Sequence, residues 1–152
     1  MTIDALLNAL SVETNAIGAF AALLGEEQQA LVSGTLDTLP ELTERKTRAV
    51  AELASLGRER DARLEALGYA PDETGATAAA AADARVDAAW KALLAAAAEA
   101  KRANDTNGVL IRTRLTYTQQ ALSVLYGPQQ NAPLYGPDGR TAPRSSGGSV
   151  TA

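Results

Sequence analysis

The sequence predicts an all-α protein: an elongated antiparallel three-helix bundle or coiled coil with a long third helix and a disordered C-terminal tail. Three observations lead there. Apolar residues make up 46% of the chain but aromatic ones only 4%, and the balance is Ala and Leu, good helix formers, rather than the β-branched and aromatic residues of strands. Large aliphatic residues recur at helical spacing through most of the chain before residue 126. From residue 128 onward the composition turns to Pro, Gly, Ser, Thr and Gln with few apolar side chains, too little to offset the entropy of ordering. The expected division is a helical domain over 1–127, with helices at about 3–32, 39–67 and 78–126, and a tail over 128–152.

The first helix rests on Ile3, Leu10, Ile17, Leu24 and Leu31, seven residues apart, with Leu6, Leu7, Phe20 and Leu23 completing the stripe. Glu13 and Glu27 occupy seam positions, which argues for a loose or partly open seam. Ser33-Gly34-Thr35 interrupts the pattern. Thr38-Leu39-Pro40-Glu41 restarts it, with proline and an acid where a first turn favours both. Leu42, Val50, Leu53, Leu56 and Leu64 mark the second helix, and Gly68 is its natural stop. The short connection makes the first two helices an antiparallel hairpin. Lys46, close to the stripe, reads as a lysine lying along apolar surface. The mixed charges from Arg58 to Arg63 read as a solvated face.

Residues 69–76, with Pro71, Asp72 and Gly75, read as a loop. Ala78 to Ala82 is helical by propensity but offers little side chain to bury, so its order is expected to be the weakest of the helical parts. In the third helix Val86, Trp90, Leu93, Ala97 and Ala100 form a seam that resumes at Ile111, Leu115, Leu122 and Leu125. Between the two halves stand Asn104 and Asn107, with Gly108 beside them. Amides at seam positions fix register or, with the glycine, bend the helix or admit a partner's backbone; spacing does not choose among these. Trp90, the one tryptophan, is the expected anchor of helix three on the hairpin.

Several function classes are disfavoured. Histidine and cysteine are both absent, which removes the usual transition-metal ligands, the thiol nucleophile and the commonest general base. No phosphate loop or di-metal carboxylate spacing is present, so neither catalysis, a metal nor a cofactor is expected. The net charge is -4 and the basic residues have acidic neighbours, so no nucleic-acid footprint is expected. The N-terminus lacks the basic start and apolar block of a secretory signal, and no apolar run approaches the roughly 18 residues of a span. A cytoplasmic protein without stable membrane insertion is the expectation. Monomer and homodimer both stay open.

Three motifs in order resemble the FlgN family of flagellar type III export chaperones: Asn104-x-x-Asn107-Gly108-x-Leu110-Ile111, then Gln119-Gln120-Ala121-Leu122-x-Val124-Leu125, then Leu134-Tyr135-Gly136-x-Asp138-Gly139-x-Thr141. Glu26-Glu27, Leu31, Lys46 and Trp90 are similar to the family in order and spacing. The resemblance implies a chaperone that binds the hook-associated proteins FlgK and FlgL before export. It places substrate binding on 107–125, here Asn107, Val109, Leu110, Ile111, Leu115, Leu122 and Leu125. It also implies docking to the export-gate protein FlhA through Leu134, Tyr135, Gly136, Asp138 and Gly139. A second Leu-Tyr-Gly-Pro, beginning at Leu125, departs from the pattern. The alternative from a different class is a helical scaffold or phasin-like coat protein, which needs an apolar face exposed along all its helices.

Overall fold

Residues 2–126 are described in the computed structural model, and they form helices with no strand among them. α1 spans Ile3–Ser33, α2 Leu39–Ala66, α3 Glu73–Ala82 and α4 Ala84–Tyr126, with a 3-10 turn at Leu36–Thr38. By internal packing the chain divides into units Met1–Thr113 and Arg114–Ala152. The bundle is the first unit; the second is described over 114–126, as helix.

Both hairpin ends are set by glycine. Gly34 takes the left-handed conformation (φ 78°) and donates its N–H to the Ala30 carbonyl, closing α1. Pro40 lies in the first turn of α2. Beyond its end Gly68 is left-handed (φ 87°), and the Gly68 and Tyr69 amides bond back to the carbonyls of Glu65 and Leu64. The first two helices therefore start and stop within a residue or so of where the sequence places them.

Ion pairs and one amide–carboxylate hydrogen bond give the helix directions. Glu13 meets Arg60 and Glu27 meets Lys46, so fourteen residues along α1 match fourteen in reverse along α2, an antiparallel pair. Asp4 meets Arg85 and Glu27 meets Asn107, so α4 runs parallel to α1. The main core is Leu6, Leu10, Ile17 and Leu24 of α1, Leu64 of α2, and Val86, Trp90, Leu93 and Ala100 of α4. A smaller cluster of Leu23, Ala30 and Leu42 lies toward the α1–α2 turn.

The expected loop at 69–76 and single third helix from residue 78 are corrected. A separate helix, α3, begins at Glu73, and the Asp72 carboxylate caps it by accepting the Gly75 N–H at 3.0 Å. Asp83, in extended backbone, ends α3, and its Oδ1 accepts the Arg85 N–H at 2.8 Å to start α4. The Arg85 hydrogen bonds hold the Asp83 carboxyl below its ordinary value. The alanine stretch is also better buried than expected: Ala76, Ala79 and Ala80 belong to the main core. Their small side chains let the α3 backbone lie close to its neighbours, so the packing comes from proximity rather than side-chain volume.

A third correction concerns α1. Contrary to the expectation that no stretch approaches a span, α1 is long and apolar enough to cross a membrane by length and composition. In the bundle its Leu6, Leu10, Ile17, Leu24 and Leu31 face the core, and Glu13 and Glu27 are buried among them.

Gly75 is fixed by contact. A Cβ there would collide with the Ala70 carbonyl oxygen and lie 2.6 Å from the Ala70 carbonyl carbon, whereas a Cβ on Gly18 meets nothing. Gly75→Ala should therefore destabilise by about 1 to 3 kcal/mol or more, while Gly18→Ala should stabilise by about 0.5 to 1 kcal/mol. Urea midpoints of the two variants, compared with the parent chain, check the opposite signs.

Candidate protein-binding surface

Two carboxylates on the α1 seam organise the bundle. Glu27 is 3% exposed. Lys46 Nζ of α2 donates to both its oxygens, at 3.0 and 3.1 Å, and Asn107 Nδ2 of α4 donates to Oε1 at 2.8 Å. The same amide nitrogen donates to the Leu24 carbonyl at 2.8 Å. One residue thus ties all three long helices. Four turns earlier Glu13 does likewise: Arg60 Nη1 of α2 donates to it at 2.7 Å, and the Arg60 guanidinium lies 5.7 Å from the centroid of the Trp90 ring on α4.

These layers correct three expectations. The seam is not loosened at Glu13 and Glu27; it is closed at Glu27 by donors from α2 and α4 and at Glu13 by Arg60 of α2, which lies against Trp90 of α4. Lys46 does not simply cover apolar surface, since its ammonium is held on Glu27. Within the charged run, Arg63 and Glu59 pair at the surface, but Arg60 turns inward. Residue type alone signals only that a seam carboxylate needs a donor, and the six basic residues of α2 carry no mark of which would reach it.

The layers are incompletely satisfied. Glu13 Oε2 and Asn107 Oδ1 are buried without a hydrogen-bond partner. For Asn107 the cause is geometric: both acceptors it meets need its nitrogen, so the oxygen faces away. For Glu13, burial raises the carboxyl pKa above its ordinary 4.5, against the opposing pull of Arg60.

On α4 the expected site residues separate into two groups. Asn107 is 1% exposed and engaged, so it is withdrawn from the substrate-contacting set: a side chain enclosed by α1 offers nothing to a partner. Asn104, expected on the seam beside it, is exposed at the edge of a shallow cleft of about 310 Å³ floored by Ile17, Phe20 and Leu53. α4 is unbroken through Asn104, Asn107 and Gly108. Leu110 is half-buried, and Val109 and Ile111 are exposed. In the second unit Leu115 is 58% exposed, Leu122 48% and Leu125 76%, and Tyr117, Val124 and Tyr126 are exposed as well. Leu134, Tyr135, Gly136, Asp138 and Gly139 lie outside the described residues, as does the whole expected tail.

A surface made of leucine, valine and tyrosine on one helix has the chemistry of protein recognition. The family profile described as FlgN protein matches residues 1–143. The chain belongs to the FlgN family. Flagella synthesis protein FlgN of Salmonella typhimurium is 30% identical over 137 residues, covering 89% of each chain. The Salmonella typhi protein of the same name matches equally, at 30% identity over 89% of each chain. No solved structure matches. FlgN proteins are not a family of enzymes.

Two outcomes follow from the buried layers. Because Glu13 has a raised pKa, the folded protein holds its proton more tightly than the unfolded chain; its contribution to stability is full below about 4.5 and is lost as pH rises through the folded-state value. Relative to Glu13→Gln, the parent chain should gain stability as pH falls from neutrality toward about 4.5, read from urea midpoints; a gain in the opposite direction would show that Arg60, not burial, dominates. Asn107→Ala removes one amide and should cost about 1 to 3 kcal/mol. Asn107→Asp also sets a second carboxylate against Glu27 and should cost about 3 to 5 kcal/mol. Equal losses in the two would sink the reading that contact with Glu27 is what sets the cost at position 107.

Proposed function

We propose that the protein is a cytoplasmic flagellar export chaperone that binds the hook-filament junction proteins FlgK and FlgL, prevents their premature assembly and delivers them to the type III export gate. Family membership supports the flagellar setting, since relatives at 30% identity over most of the chain are flagella synthesis proteins. The observation that carries the binding role is the exposure of Leu115, Leu122 and Leu125 on the last helical stretch. Each would be more stable covered, by up to about 1.5 to 3 kcal/mol when fully buried.

Proteins that polymerise through segments ordered only on assembly need substitute packing before it, and an exposed helical stripe offers that packing. Val109, Leu110 and Ile111 belong to the proposed client surface together with Leu115, Leu122 and Leu125; Asn107 supports it from inside. Delivery would run through FlhA and the Leu134-Tyr135-Gly136-x-Asp138-Gly139 segment, an assignment that rests on the family resemblance alone. Binding without chemistry requires no cofactor, metal, nucleic acid or inserted membrane segment.

Size-exclusion chromatography with light scattering, using the chain alone and with purified FlgK or FlgL from the same genome, tests the proposal. A stoichiometric complex is expected with the parent chain and its loss with Leu115→Asp, Leu122→Asp. Both positions are exposed, so the variant should keep its helical circular dichroism. No complex with either partner would sink the proposal. The mass of the chain alone separately reads monomer from homodimer.

A further inference from the structure

We infer that Asn107 is a site of spontaneous covalent modification controlled by the bundle. It stays intact while α4 is docked on α1. When that contact opens it cyclises onto Gly108 and converts to aspartate or isoaspartate, after which the layer at Glu27 cannot re-form. This holds whatever partner the chain binds.

The chemistry is that of an asparagine followed by glycine. The Gly108 backbone nitrogen attacks the side-chain carbonyl carbon of Asn107, the Cγ–Nδ2 bond breaks, and ammonia leaves with the proton that the glycine nitrogen gives up. Water then opens the succinimide ring at either carbonyl, giving aspartate or isoaspartate. Glycine favours the attack because no Cβ shields its nitrogen. Of the five asparagines in the chain, Asn107 alone precedes a glycine.

In the docked state each requirement of the reaction fails. Asn107 is 1% exposed, so water is kept from it. Its Nδ2 donates to the Leu24 carbonyl and to Glu27 Oε1, each at 2.8 Å, and departure as ammonia would break both bonds. α4 is helical through Gly108, which commits the Gly108 N–H to the Asn104 carbonyl. A helical ψ of about −42° also holds that nitrogen off the side-chain carbon.

The same stretch is built to open. Asn104, Asp105, Thr106, Asn107 and Gly108 are five consecutive poor helix formers. Nothing in the packing asks for the glycine: its φ is not positive, and a Cβ there would meet the flexible end of Arg112 at 3.4 Å and nothing else. The ties from Asn107 to α1 therefore hold α4 helical at this level. Releasing them frees the amide and the glycine nitrogen in one step.

Conversion makes the opening permanent. Residue 107 then has no side-chain N–H to give, so the Leu24 carbonyl and Glu27 Oε1 lose their shared donor. Aspartate adds a second carboxylate beside Glu27, and two buried carboxylates at one place disfavour each other. Isoaspartate inserts a methylene into the main chain and interrupts the helix.

Peptide mapping by mass spectrometry tests this on the full chain, incubated at mildly alkaline pH in buffer and in unfolding guanidinium. In guanidinium residue 107 should convert ahead of Asn8, Asn15 and Asn104, and Gly108→Ala should slow it by about tenfold or more. In buffer the parent should convert at least about a hundredfold more slowly than in guanidinium, since only the open fraction reacts. Denaturant below the midpoint should raise the rate before the helical circular dichroism falls. The converted chain, separated by anion exchange and refolded, should show a lower midpoint than unconverted chain carried through the same steps. Conversion as fast in buffer as in guanidinium, a rate that only follows global unfolding, or a converted chain that regains the parent midpoint overturns the inference.

Discussion

The structure depends on taking the Glu27 carboxylate out of water. A buried carboxylate costs several kcal/mol unless donors replace its hydration, and here they come from Lys46 on α2 and Asn107 on α4. A well-packed leucine layer at the same level would be at least as stable. It would tolerate a slip of α2 or α4 by one turn, however, whereas a carboxylate with its two donors tolerates none. Glu13 repeats the constraint two heptads away through Arg60. With both layers in place α2 is fixed against α1 at two levels, and the apolar layers between them have one way to meet.

This arrangement explains why the polar positions look like defects in the sequence. Heptad counting puts Glu13, Glu27 and Asn107 on seams, and it does so correctly, but it treats each helix alone. Their partners lie 47, 19 and 80 residues away, and no local rule ties a seam carboxylate to one particular lysine or arginine on another helix. The ends of α1 and α2 were legible because glycine and proline act within a turn of where they stand. The separation of α3 from α4 was legible in principle: Asp72 and Asp83 are capping residues at the edges of an alanine run. High helix propensity across Ala78 to Ala82 masked the second of them. The burial of Ala79 was not legible, because alanine signals helix without signalling which side is covered.

The candidate surface divides along the same line. The stripe from Ile111 to Leu125 could be read from spacing, and the side chains stand exposed at those positions. What spacing could not supply was that Asn104 and Asn107, three residues apart and alike in chemistry, have different fates: one at the edge of a cleft, the other enclosed. That difference depends on Leu24 and Glu27 of α1. The roles of Lys46 and Arg60 as donors to seam carboxylates were hidden for the same reason.

The matched fourteen-residue intervals also bear on how the chain can change length. Between the two polar layers, α1 and α2 form a cassette in which an insertion or deletion in one helix misaligns a buried ion pair unless the other helix changes by the same amount. Single-residue length changes there cannot be absorbed, and a heptad can be only where α4 gains one as well, since Trp90 and Asn107 meet the same two layers. Past Asn107 no polar layer among the described residues imposes such bookkeeping on α4. The two layers therefore set the length of the interval from Glu13 to Glu27 and set none on the end of α4, where any limit on length comes from what the exposed leucines bind.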